Sequence, residues 1–148
     1  MITFEIPGDP RGKGRPKFAR RGTFTTTYTD DKTAAYENLV ALAAREVMQR
    51  HGQGLMEGPV SVMVYCGFRV PASTAKSRVG QMLQHLILPL KKPDADNVAK
   101  AVLDGLNGVA YLDDTQVTDL TVIRRFDERP RVVVRLGETK TPASGVWA

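Results

Sequence analysis

The chain is predicted to be a single α+β domain, with helices packed on one face of a mixed or antiparallel sheet. Two observations carry this. The hydrophobic patterns run in the order β-α-β-(α)-α-β-β, which places strands and helices in separate layers. The 148 residues suit one domain, and the 42% hydrophobic and 25% charged content is that of an ordinary globular protein. A chain of that length buries roughly 68–70% of its unfolded surface, enough for a core without covalent staples.

Taken in order, Ile2, Phe4 and Ile6 alternate with Thr3 and Glu5, so residues 2–7 read as a strand that Pro7-Gly8-Asp9-Pro10 ends. Residues 11–22 read as a loop, because glycine and proline interrupt any regular period. Asp30 or Asp31 can cap a helix running to about Arg50, with Gly52 as its stop; Tyr36, Leu39, Val40, Ala43 and Val47 form its apolar stripe. Val60, Val62, Val64 and Cys66 alternate with Ser61, Met63 and Tyr65 in a second strand from Pro59 to Phe68. Ser73 can cap a short helix through Leu86, which Pro89 prevents from continuing. A further helix covers about Asn97 to Leu106, with Asp96 as a plausible cap, Ala99, Val102, Leu103 and Leu106 buried, and Gly105 weakening its end. Leu120–Phe126 and Arg131–Leu136 are β-rich, and Asp127-Glu128-Arg129-Pro130 reads as the hairpin turn between them. The domain takes in residues 1–137; residues 138–148, with Trp147, read as a flexible C-terminal tail.

Composition narrows the function classes. The single cysteine, Cys66, excludes an intrachain disulfide and a zinc cluster, and the two histidines, His51 and His85, are far apart. No signal peptide opens the chain and no apolar run is long enough to span a membrane, so a cytoplasmic protein with no membrane partner is expected. The net charge of +5 and pI near 9.6 are compatible with nucleic acid. Six of the eleven residues from Arg11 to Arg21 are basic (Arg11, Lys13, Arg15, Lys17, Arg20, Arg21) and none is acidic. With glycines that permit close backbone approach, this segment suits phosphate binding, and Lys91 and Lys92 add to it. The bland alternative is a solvated basic loop. A Walker loop is excluded, because Gly14 follows Gly12-Lys13 where Ser or Thr is needed.

Against this background stand Asp94, Asp96, Asp113 and Asp114, all within 21 positions, with Asp104 between them. Singly, each has an ordinary explanation as a helix cap or turn residue. Together they do not, since capping needs one carboxylate rather than two at i and i+2. Two such charges about 4 Å apart repel by roughly 4 kcal/mol at an effective dielectric near 20, so converging them requires a cation. Oxygen ligands without Cys or His favour Mg²⁺, with Mn²⁺ as a substitute. The EF-hand pattern fails at Val98 and Ala99. Carboxylate-held Mg²⁺ suits phosphoryl transfer, and Lys100, one helical turn beyond Asp96, is placed to stabilise charge on a phosphate.

The run from Lys92-Pro93-Asp94-Ala95-Asp96-Asn97-Val98-Ala99-Lys100 to Asn107-Gly108, followed by Tyr111-Leu112-Asp113-Asp114-Thr115-Gln116-Val117, resembles the signature of the RusA-type Holliday junction resolvases. Gly12-Lys13-Gly14-Arg15-Pro16-Lys17-Phe18 is similar to the basic N-terminal loop of the phage-type members, and the match runs from Phe4 to about Leu136. The resemblance implies a RusA-like fold and a homodimeric, Mg²⁺-dependent endodeoxyribonuclease of DNA recombination and repair that cuts four-way junctions with paired nicks. It implies Asp94, Asp96 and Asp114 as metal ligands, Lys100 as the essential lysine, and Asp113 and Asn97 as supports. Asp104 matches a common family position, though a surface pair with Lys100 explains it equally well. Two other readings remain open: a non-catalytic nucleic-acid-binding module, and a nuclease of other branched or flapped DNA.

Overall fold

The computed structural model describes residues 1–15, 17–28 and 30–140, Arg21 through its backbone alone. In chain order the elements are β1 (Ile2–Pro7), β2 (Lys17–Arg21), β3 (Phe24–Tyr28), α1 (Asp31–Arg50), β4 (Val60–Phe68), α2 (Lys76–Leu83), α3 (Ala95–Leu106), a 3₁₀ turn (Asp114–Gln116), β5 (Val117–Phe126) and β6 (Arg131–Glu138). Four strands form one sheet in the order β1-β6-β4-β5, with β4 and β5 parallel and the other neighbours antiparallel. The predicted α+β class and mixed sheet are therefore observed. Ile2, Phe4 and Ile6 of β1, Val60, Val62, Val64 and Cys66 of β4, and Val132, Val134 and Leu136 of β6 form the sheet side of one buried core. Tyr36, Val40 and Ala44 of α1 and Val98, Val102 and Leu106 of α3 close it from the helical side.

The caps explain where α1 begins and ends. Asp30 accepts hydrogen bonds from the Thr33 amide (3.0 Å) and the Thr33 hydroxyl (2.7 Å). These bonds, the amide first, hold the Asp30 carboxyl below its usual pKa. At the far end Gly52, at φ +62°, donates to Gln49 while Gln53 donates to Met48, the pairing of a Schellman stop. The stripe differs from the predicted one: Leu39 is half exposed, and Ala44 and Met48 are buried instead. Alternation between i+3 and i+4 spacing leaves that choice to the tilt of the helix on the sheet.

Three sequence expectations are corrected. Residues 17–21 form a strand, not a loop, because Phe24-Thr25-Thr26-Thr27-Tyr28 is β-prone and pairs back onto them across Gly22-Thr23. The helix expected over Ser73–Leu86 is only Lys76–Leu83; no side chain caps its start, and His85, at φ +64°, turns the chain out after Gln84. β5 and β6 do not form a hairpin, because β4 lies between them. Strands two apart are about 9.6 Å from each other, within the reach of the four-residue link. Asp127 fastens that link to β4, donating its amide to Phe68 (2.9 Å) and accepting from the Tyr65 hydroxyl (2.8 Å). Gly67 lies beneath the crossing, where a Cβ would come 3.0 Å from the Asp127 Cβ. Burial, then the bond to Asp127, pushes the Tyr65 phenol up to about 12.

Gly137 and Glu138, at the junction with the expected tail, belong to β6, and Thr139 donates to the Pro59 carbonyl (2.8 Å). The rest of that tail, from residue 141 and including Trp147, lies outside the described residues. No helix among the described residues is long and apolar enough to cross a membrane.

Candidate nuclease site

The site is organised on α3. Its N-cap is Asp94 rather than Asp96, which falls in the first turn. Asp94 caps with its backbone alone, the Val98 amide donating to its carbonyl. Its carboxylate instead accepts a 2.6 Å bond from the Asn97 side-chain amide. Asp94, Asp96 and Lys100 are all exposed. The approach to α3, with a cis Lys92–Pro93 peptide, is held by Arg124 of β5, whose guanidinium donates to the carbonyls of Lys91 and Pro93 (the latter at 3.1 Å). Arg124 also stacks over the Phe68 ring, 5.2 Å from its centroid. The sequence reading missed this residue, since one arginine in a β-rich run carries no signal of where it reaches.

The basic N-terminal segment docks directly on this turn. The Lys13 amide donates to the Asn97 carbonyl (3.0 Å), and the Gly14 amide to the Thr33 hydroxyl (2.8 Å). Gly12 packs closely here: a Cβ there would meet the Cβ atoms of Pro93 at 3.0 Å and Asn97 at 3.1 Å. The result is a cleft of about 630 Å³ whose walls include Arg11, Arg15, Lys32, Lys92, Asp94 and Asn97. Arg15 of that lining is exposed, as are Lys17, Arg20 and Lys91.

Lys13, placed by sequence among the DNA-binding residues, points inward. Its amine bridges Glu37 of α1 and Asp104 of α3, the latter at 2.9 Å. Burial alone would lower its pKa, but hydrogen bonds and charge from the two carboxylates outweigh it and the pKa is raised. Asp104 therefore pairs with Lys13, not with Lys100 as one reading of the sequence had it.

The aspartate pair is differentiated by its turn. The Asp113 carboxylate caps the 3₁₀ turn and accepts from the Thr115 hydroxyl (2.7 Å). Gln116, assigned no role from sequence, is the clamp: its carbonyl accepts from the amides of Leu112 (2.9 Å) and Asp113 (3.2 Å), and its amide donates to the carbonyls of Met56 (2.8 Å) and Gly58 (3.0 Å). Its signal was present as the reciprocal spacing of a capping box. Tyr111 is fully buried and donates to the Leu103 carbonyl (2.8 Å), tying the pair's loop to α3. Burial first, then the charges of Asp114, Asp104 and Asp113, raises the Tyr111 phenol pKa. Among the described residues, no ion pair engages Asp94, Asp96, Lys100 or Asp114. Nor does any group of three His, Cys, Asp or Glu side chains among them stand gathered as a metal cluster.

The model of one protein family, described as Endodeoxyribonuclease RusA, matches residues 7–137. The chain belongs to the RusA endodeoxyribonuclease family. The matched span includes every element from the basic segment to β6, and with it both acidic loops and Lys100. A relative in this comparison is the "Uncharacterized protein YqaN" of Bacillus subtilis (strain 168), 35% identical over 139 residues, which cover 93% of this chain and 96% of the relative.

Proposed function

We propose that this RusA-family chain is a Mg²⁺-dependent resolvase that cuts four-way DNA junctions with paired symmetric nicks in recombination and repair, acting as a homodimer. The observation that carries the reading is the shared cleft: the basic segment docks on the first turn of α3, so Arg11, Arg15 and Lys92 line the same cavity as Asp94. A wall of acids alone would repel a DNA phosphate, and a wall of bases alone would bind it without reaction.

The donor set suits a hard cation. Asp94, Asp96 and Asp114, which do not stand gathered among the described residues, would have to close on it; all three offer oxygen, and the Asp113 carboxylate is engaged by the Thr115 hydroxyl. Mg²⁺, or Mn²⁺ in its place, supplies Lewis acidity toward phosphate oxygens when bound. Asn97 orients Asp94, Gln116 fixes the turn from which Asp114 projects, and Lys100 offers positive charge on the exposed face of α3. Two opposed nicks require two such sites, which a two-fold pair of chains provides.

The test is cleavage of a synthetic four-way junction beside flapped and linear DNA of the same sequence. Asp96→Asn and Asp114→Asn are expected to abolish Mg²⁺-dependent cleavage, and Asp96→Asn, at an exposed position, to change stability by no more than about 0.5 kcal/mol. Mn²⁺ at about 100 times its Kd is expected to stabilise the wild type by about 2.7 kcal/mol, and Asp114→Asn to lose that gain. Full cleavage by either variant would refute the site.

A further inference from the structure

The strands β2 and β3 form a sheet of their own, and no other element packs closely on it among the described residues. Yet it carries three exposed aromatic side chains: Phe18 is 71% exposed, Phe24 73% and Tyr28 49%. Such side chains ordinarily supply core, and a free two-stranded hairpin is marginal in water. The aromatics are therefore available to something outside the chain.

The register distributes them on both faces. Phe18 and Arg20 share one face, two residues apart, opposite Thr27 and Thr25. Tyr28 lies on the other face, directly across from Lys17. Each face thus presents an aromatic ring beside a cationic side chain. From Pro10 to Thr29 the sequence holds no acid. That charge opposes docking of a second identical hairpin and favours a polyanion whose flat groups can stack on the rings. Both ends of the hairpin lie at the cleft, since Arg15 before it and Asp30 after it line that cavity. The hairpin is thus anchored beside the cavity that holds Arg11, Arg15 and Lys92.

We propose that the hairpin 17–28 is a base-stacking arm: its aromatic side chains take up nucleobases that are unstacked or unpaired, and Lys17 and Arg20 hold the adjoining phosphates. In a continuous duplex each base is covered by its neighbours and the rings have nothing to stack on; at a branch point or in a single strand the bases are free. The arm gives the cleft its preference for branched over linear DNA. The proposal rests on the nuclease reading above but is separable from it, because the arm contributes to binding and not to the reaction.

The experiment compares wild type with the triple variant Phe18→Ala/Phe24→Ala/Tyr28→Ala, without Mg²⁺ and at one salt concentration. The probes are a four-way junction carrying 2-aminopurine at its branch and a linear duplex of the same sequence. The triple variant is expected to lose junction affinity by at least tenfold, change duplex affinity less than about twofold, and abolish the 2-aminopurine fluorescence change. Lys17→Ala/Arg20→Ala is expected to weaken both DNAs alike and to reduce the salt slope by about two. Restoring rings with Phe18→Trp/Phe24→Trp should recover the fluorescence change, which excludes a folding defect as the cause. Unchanged junction affinity and fluorescence in the triple variant would overturn the proposal, as would its conversion from dimer to monomer in sedimentation, which would make the hairpin a self-association surface. If the arm alone is wrong, the wild type still cuts junctions in Mg²⁺ and Asp114→Asn still does not; if the wild type neither binds nor cuts branched DNA, both readings fall.

Discussion

Replacing Gly105 by alanine sets two forces against each other. In a helix interior alanine is favoured over glycine by about 0.8–1.0 kcal/mol. By propensity alone the change should stabilise α3. Gly105, however, lies where α3 crosses α1. A Cβ there would stand 2.8 Å from Val40 Cβ, 2.9 Å from Val40 Cγ1 and 2.9 Å from the Glu37 carbonyl oxygen. Carbon atoms at contact prefer about 3.5–4.0 Å, and neither the Glu37 carbonyl nor Val40 Cβ can swing aside as a side-chain tip can. The helices must separate, and overpacking of this kind costs about 1–3 kcal/mol. Three contacts under 3.0 Å place that cost at about 2–3 kcal/mol, and after the propensity gain of about 1 the net expectation is a loss of about 1–2 kcal/mol, or a melting temperature lower by roughly 3–6 °C. Gly80 in α2 is the control: nothing lies within 4 Å of its Cβ position, so Gly80→Ala should gain about 1 kcal/mol. Urea unfolding followed by circular dichroism measures both, with an unchanged m-value as the condition for comparison. A Gly105→Ala protein as stable as wild type, or more so, would refute the close approach. Because α3 carries Asp96 and Lys100, the displaced helix should also cut junctions more slowly than wild type.

Two further outcomes follow from the supports of the site. Gln116→Ala removes the clamp on the 3₁₀ turn and is expected to lose about 2 kcal/mol and to speed amide exchange at Leu112 and Asp113, whereas Asp113→Asn, a weakened cap, should lose about 1 kcal/mol or less; unchanged exchange in Gln116→Ala would count against the clamp. Lys13→Met leaves Glu37 and Asp104 facing each other, with a loss of about 1–3 kcal/mol after allowance for partial exposure. Since the folded pKa of Lys13 is raised above 10.5, its contribution is complete below that pH and is lost as the pH rises through the folded value. The stability gap between wild type and Lys13→Met should hold from pH 7 to about 10 and narrow above it, and a gap that closed below pH 9 would contradict the bridge.

Much of the molecule is legible in its sequence. Local physics set those parts: the Asp30 cap and Gly52 stop of α1, the alternation of β1 and β4, the apolar face of α3, and the dense acidic and basic segments. Each depends on residues within a few positions of one another, so the signal lies in the chain itself. The family resemblance was legible for the same reason, since its motif is two short runs. What tertiary structure decided depends on residues far apart in sequence. A four-residue link between two β-rich runs serves a hairpin and a strand-spanning crossover alike, and only the insertion of β4 separates them. Leu39 and Ala44 fit one helical stripe or its neighbour until the sheet sets the tilt. Lys13 looked like another DNA-facing base until Glu37 and Asp104 met it, and a lone Arg124 gave no hint that it would hold Lys91 and Pro93. Sequence determined which groups carry the charge and the chemistry; the fold decided which of them neutralise each other within the protein and which are left facing the cleft, because that division depends on distances between segments the chain brings together only when folded.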